Sequence, residues 1–124
     1  MGKIKRFEDI QAWQKARELT KSVYLITKNH QFNRDFDLRN QIRKAAVSIM
    51  SNIAEGFARR TNKEFISFLA IAHGSAAETQ SHLYVAFDQE YIIEKEFKDI
   101  YDRADEVSRM IQGFSNYLRD VKAL

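Results

Sequence analysis

The chain has 124 residues, 20 Lys and Arg against 17 Asp and Glu, and neither cysteine nor proline. That length suits a single domain, residues 1–124, and excludes a cofactor domain joined to a substrate domain. The lack of cysteine excludes a disulfide framework and thiolate metal sites, and the scarcity of turn residues argues against a sandwich or barrel, so a mostly helical fold is expected.

Four helices follow from the spacing of apolar residues. The first covers residues 7–28, where Phe7, Ile10, Trp13, Ala16, Leu19, Val23 and Ile26 recur every three or four positions. Residues 29–36 lose that period and read as a loop. The second helix covers 37–58: Leu38, Ile42, Ala46, Ile49, Ile53 and Phe57 share one face, Asp37 is the expected N-cap, and Gly56 is expected to help stop it. The third covers 62–87 and opens on a capping box, Thr61-Asn62-Lys63-Glu64, with Phe65, Leu69, Ala72, Ala76, Leu83 and Phe87 as its main stripe. The fourth covers 94–121, and Phe97, Ile100, Ala104, Val107, Ile111, Phe114, Leu118 and Val121 alternate spacings of three and four along it.

Helices of this length are each about 33–42 Å long. Their short connections force neighbours to lie antiparallel, so the expected fold is all-α, an up-down-up-down four-helix bundle. The third helix carries apolar residues off its main stripe, among them Ile66, Ala70, Ala77, Tyr84 and Val85. Such surface is better covered by another copy of the chain than left in water, which predicts a homo-oligomer.

The expected core edge is polar. On the second helix Ser48, Asn52 and Glu55 flank the apolar stripe, and Glu55 is placed to pair with Arg59. On the third, Ser75 and Glu78 form a similar stripe beside Gly74. A glycine inside a helix costs about 1 kcal/mol relative to alanine. Close approach of another helix at Gly74 is the expected compensation. The favoured reading of Ser48, Asn52, Glu55, Gly74, Ser75 and Glu78 is a structural hydrogen-bond network, with a polar binding site as the alternative.

Nothing in the sequence points to catalysis. No Glu-x-x-His pair, phosphate loop or nucleophile elbow occurs, and His73 and His82 face opposite sides of one helix. No metal or other cofactor is expected. No apolar run approaches the ~20 residues of a membrane span. The basic residues 1–6 are not followed by an apolar signal segment. A cytoplasmic chain without membrane partners is expected.

Charge is uneven: Lys and Arg outnumber Asp and Glu by 14 to 6 in residues 1–63 and are outnumbered 11 to 6 in residues 64–124. Basic residues gather around the second helix, with Arg39, Arg43 and Lys44 in its first half and Arg59, Arg60 and Lys63 at the following turn; Lys15, Arg17 and Lys21 add to them from the first helix. These residue types can neutralise nucleic-acid phosphates. Opposite charges on the two halves can equally meet within one chain or between copies.

The blocks Ser48-Ile49-Met50-Ser51-Asn52-Ile53-Ala54-Glu55-Gly56-Phe57 and Ala72-His73-Gly74-Ser75-Ala76-Ala77-Glu78-Thr79, with Trp13-Gln14-Lys15-Ala16 before them, resemble the bacterial four-helix bundle family that includes proteins encoded in 23S rRNA intervening sequences. The resemblance runs over about residues 7–118. It implies an up-down bundle, often assembled as a pentamer, without enzymatic activity. A relative accompanies a reverse transcriptase in diversity-generating retroelements and binds nucleic acid through a basic surface. The expected function is therefore non-catalytic binding of RNA or DNA by Arg39, Arg43, Lys44, Arg59, Arg60 and Lys63. The alternative is a protein-interaction scaffold or accessory subunit, for example to a reverse transcriptase.

Overall fold

A computed structural model describes residues 4–121. A 3-10 turn, Phe7–Asp9, leads into α1 (Gln11–Thr27), followed by α2 (His30–Arg34), α3 (Phe36–Phe57), α4 (Asn62–Asp88) and α5 (Glu94–Asp120). The four long helices form a bundle in the cyclic order α1, α3, α4, α5, so that α1 lies diagonally across from α4. Neighbours are antiparallel, since contacts pair rising numbers on one helix with falling numbers on the next: Thr20 with Ala46 and Thr27 with Arg43, Ser48 with Ser75 and Gly56 with Phe65, Phe65 with Phe114 and Tyr84 with Phe97. Thr20 Oγ1 donates to Ala46 O (3.3 Å) between α1 and α3, the Ser48 and Ser75 hydroxyls meet at 3.0 Å between α3 and α4, and Gln80 Nε2 donates to Tyr101 O (3.3 Å) between α4 and α5.

The core is built from the expected stripes. Leu19, Ile42, Ile49, Ile53, Leu69, Leu83 and Ile111 are almost wholly buried at its centre. Phe7 and Trp13 sit half-buried at its edge, ring edge to ring face, with centroids 5.1 Å apart. On α4 the stripe departs from expectation: Phe87 is exposed, while Ala86 and Thr79 are buried. Thr79 fills the gap between Ala76 and Leu83 because its hydroxyl is satisfied within the helix, donating to Ser75 O at 2.9 Å.

Three local expectations are corrected. Residues 29–36 are not a plain loop: α2 forms there because the Asn29 side chain accepts from Phe32 N (3.2 Å) and the fully buried Phe32 packs on Tyr91. Asp35, not Asp37, caps α3; its Oδ1 accepts from Leu38 N (3.1 Å) while Oδ2 accepts from the Tyr91 hydroxyl (2.9 Å). The second contact lets Asp35 tie the start of α3 to the α4–α5 connection. It also pushes the Tyr91 phenol above the usual tyrosine range, chiefly through that hydrogen bond to a carboxylate.

Gly56 does not end its helix, since α3 runs on to an Ala58 C-cap in right-handed geometry. It is instead where α3 and α4 touch. A Cβ there would lie 2.7 Å from Phe65 Cδ1 and 2.8 Å from Phe68 Cβ. At the start of α4 the threonine half of the expected cap forms, with Thr61 Oγ1 accepting from Glu64 N at 3.1 Å.

Candidate nucleic-acid interface

The six basic residues singled out by the sequence fall into two groups. Arg39, Arg43 and Lys44 lie in the first half of α3, whereas Arg59, Arg60 and Lys63 lie beyond its far end. Arg43 and Arg59 are 16 residues apart, which at helical rise is about 24 Å. The bundle does not bring the six into one patch.

The first group is joined by α1. Arg43 Nε donates to Thr27 Oγ1 (2.8 Å), and its guanidinium lies over the Tyr24 ring, 4.5 Å from the centroid. Arg39 Nη1 donates to Asn33 Oδ1 (2.9 Å) and Asn33 O (3.1 Å), its Nε donates to Asn40 Oδ1 (3.1 Å), and it covers the Phe36 ring at 4.9 Å. Lys44 is exposed. Arg17, also exposed, lies over Trp13 at 5.9 Å. Aromatic partners were missed by charge reasoning; only the short spacings Trp13–Arg17 and Phe36–Arg39 hint at them in the sequence.

What matters electrostatically is the missing counter-charge. Glu18 is the one acidic residue of α1; Lys15 of the same helix and Arg103 of α5 each approach it at 3.8 Å. On α3 the acids are Asp37 in the first turn and Glu55, which pairs with Arg59 at 3.3 Å. Among the described residues, no carboxylate lies within 4 Å of Arg17, Lys21, Arg39, Arg43 or Lys44. The face shared by α1 and α3 is therefore a strip of uncompensated positive charge.

The second group is less free. Arg59 is ion-paired with Glu55 and lies over Phe68 at 4.7 Å. Arg60 and Lys63 are exposed at the turn, where Arg59 and Arg60 border a cavity of about 290 Å³ that Phe57, Phe65 and Phe114 also line.

The expected polar network is smaller than six residues. Asn52 Nδ2 donates to Ser48 O (2.8 Å) and Ser48 Oγ (3.0 Å), and Ser48 meets Ser75. Glu55 and Glu78 stand outside it, exposed, pairing along their own helices with Arg59 and with His82 (3.4 Å). Gly74 is not a close crossing: nothing lies within 4 Å of where its Cβ would be. It faces outward: Ala72, Ser75 and Ala76 around it are buried, whereas Gly74 itself is exposed. Among the described residues every buried side-chain polar atom has a hydrogen-bond partner, and no three His, Asp or Glu side chains are grouped to hold a metal ion. No helix of the described residues is long and apolar enough to cross a membrane.

A family model, 23S rRNA-intervening sequence protein, matches residues 8–113. The chain belongs to that family. The matched region takes in α1 to α4 and most of α5, and so includes both basic groups. The bundle is also similar to the crystal structure of a protein of unknown function from the S23 ribosomal protein family of Bacteroides thetaiotaomicron. The two share 25% identity and a TM-score of 0.77 over 84% of this chain and 97% of the other. No curated protein matches the chain.

Proposed function

We propose that this protein is a non-catalytic, cytoplasmic homo-oligomer, a pentamer as the family resemblance implies, that binds RNA or DNA through backbone phosphates. The observation that carries the reading is the α1–α3 strip, whose cations have, among the described residues, no carboxylate beside them. Uncompensated cations on a rigid surface attract a polyanion and release its counterions on binding. Arg39, Arg43 and Lys44 make the central contacts. Arg60 and Lys63, with Arg59 once it leaves Glu55, extend them at the far end of α3.

Assembly is supported by α4. Between Glu64 and Asp88 this helix carries one formal charge, Glu78, and its outward side exposes Ile71, Tyr84 and Val85 beside Ala70, Gly74 and Ala77. The same face supports the second reading, an interaction scaffold or an accessory subunit of another protein such as a reverse transcriptase.

Fluorescence anisotropy with labelled nucleic acid over a salt series separates the two. Nucleic-acid binding predicts a log–log slope near −0.9 per duplex phosphate neutralised, and Arg43→Glu with Lys44→Glu weakens binding and flattens the slope by about one unit per charge removed. Absence of binding at low salt, with assembly intact by light scattering, refutes this reading and supports the scaffold.

A further inference from the structure

The α1–α3 strip offers more than charge. Each of its three arginines lies over an aromatic ring: Arg17 over Trp13, Arg43 over Tyr24 and Arg39 over Phe36. The rings share two lines. Trp13 and Tyr24 are eleven residues apart on α1, close to three full turns, and Phe36 and Arg43 are seven apart on α3, close to two. Because Arg43 joins α3 to Tyr24, the three pairs follow one another along a strip of about 27 Å. Phe36 is 63% exposed and Tyr24 37%. Neither degree of exposure is needed to close the core.

Two of the three guanidinium planes are also held. Arg43 is tethered by Thr27, and Arg39 by Asn33 and Asn40, which leaves other N–H groups of each available to an incoming acceptor. The partly exposed aromatic cluster of α4 and α5 is different. Tyr84, Phe97 and Tyr101 pack ring on ring, and among the described residues no arginine covers them.

A duplex presents phosphates outward and keeps its bases stacked inside, so the arginines meet its phosphates but the aromatic–arginine platforms find no base face to stack on. A single strand exposes base faces that stack on aromatic rings or on guanidinium planes while its phosphates meet the same cations. We propose that the α1–α3 strip takes single-stranded nucleic acid, with unpaired bases stacking on the Trp13–Arg17, Tyr24–Arg43 and Phe36–Arg39 pairs. This rests on the nucleic-acid reading above and narrows it to one class of ligand.

The test compares labelled oligo(U), oligo(dT) and a duplex of equal length by anisotropy at low salt. It adds the emission of Trp13, the single tryptophan of the chain. At least one of the two single strands is expected to bind about tenfold or more tightly than the duplex and to quench Trp13; heparin, a polyanion without bases, is not expected to quench it. Tyr24→Ala and Phe36→Ala should each weaken single-strand binding by about 5- to 100-fold with the salt slope unchanged, because a base platform is lost and no charge is. Both side chains are exposed, so the fold should persist, and Tyr24→Phe should restore binding. Equal affinity for duplex and single strands, or single-strand affinity untouched by both alanine variants, overturns the inference and leaves phosphate binding standing. No binding of any of the three probes overturns both.

Discussion

Gly56→Ala and Gly74→Ala add the same methyl group to adjacent helices and are expected to move stability in opposite directions. Each replacement removes backbone freedom from the unfolded chain and gains up to about 1 kcal/mol of helix propensity in a helix interior. At Gly74 nothing lies within 4 Å of the new Cβ, so the gain is kept. At Gly56 the methyl carbon would sit 2.7 Å from Phe65 Cδ1 and 2.8 Å from Phe68 Cβ, against about 3.5 Å for a comfortable carbon–carbon contact. The Phe65 ring cannot swing clear, because it is buried and packed edge-on against Phe57 and Phe114. Phe68 Cβ is one bond from the backbone, so α3 and α4 must separate by roughly 0.7 Å. Such overpacking costs about 1–3 kcal/mol, and Gly56 gains little propensity in the last turn, leaving a net loss of about 1–2 kcal/mol. Urea unfolding followed by far-UV circular dichroism, at dilution sufficient to keep the chain monomeric, reads both variants against the wild type. A Gly56→Ala protein as stable as the wild type would show that the α3–α4 contact yields, and the rigid packing argued here would be wrong.

Two further outcomes are expected. Ile71→Lys combined with Val85→Lys places charge on the outward side of α4 and should lower the assembled mass seen by light scattering with helix content unchanged; an unchanged mass excludes α4 as the interface between copies. Tyr91→Phe removes the hydroxyl that donates to Asp35, so the variant should unfold at lower urea than the wild type near neutral pH. Because the Tyr91 pKa is raised in the folded protein, its contribution is complete below the ordinary tyrosine value and is lost as pH rises through the raised one. The gap between wild type and variant should therefore close under alkaline conditions, and a gap that stays constant through that range refutes the Tyr91–Asp35 linkage.

The four long helices were legible because their apolar period persists through 17 to 27 residues each, long enough for one face to stand out. α2 was not, since five residues with a single apolar anchor, Phe32, have no period to read. Asp35 and Asp37 both satisfy the rule for an N-cap; Tyr91, 56 residues away, selects Asp35. The Glu55–Arg59 pair was legible from its spacing of four. The roles of Gly56 and Gly74 were not, because a missing side chain says nothing about what stands opposite it. For the same reason the Tyr24–Arg43 contact could not be found from either helix alone, and six basic residues close in sequence proved to lie in two groups at the two ends of α3.

The diagonal placement of α1 and α4 gives the two proposed surfaces their compatibility. Covering the outward side of α4 with another copy removes its uncharged surface from water and leaves α1 of that same copy untouched; a ring engages a second face of each copy as well, and Arg17, Tyr24 and the start of the α1–α3 strip stay open when that second face is not α1. α3 borders both surfaces, and its polar flank toward α4 is already occupied by the Ser48–Ser75 contact, whereas its flank toward α1 carries Arg43. Each added copy then contributes one more cationic strip to the same particle. A strand long enough to reach two strips binds the second at the effective concentration set by the first, so affinity should rise steeply with strand length once one strip is exceeded. A variant held monomeric by lysines on α4 should retain the affinity for a short strand and lose this length dependence. If it binds long strands as tightly as the assembled protein does, the strips act singly and assembly serves some purpose other than avidity.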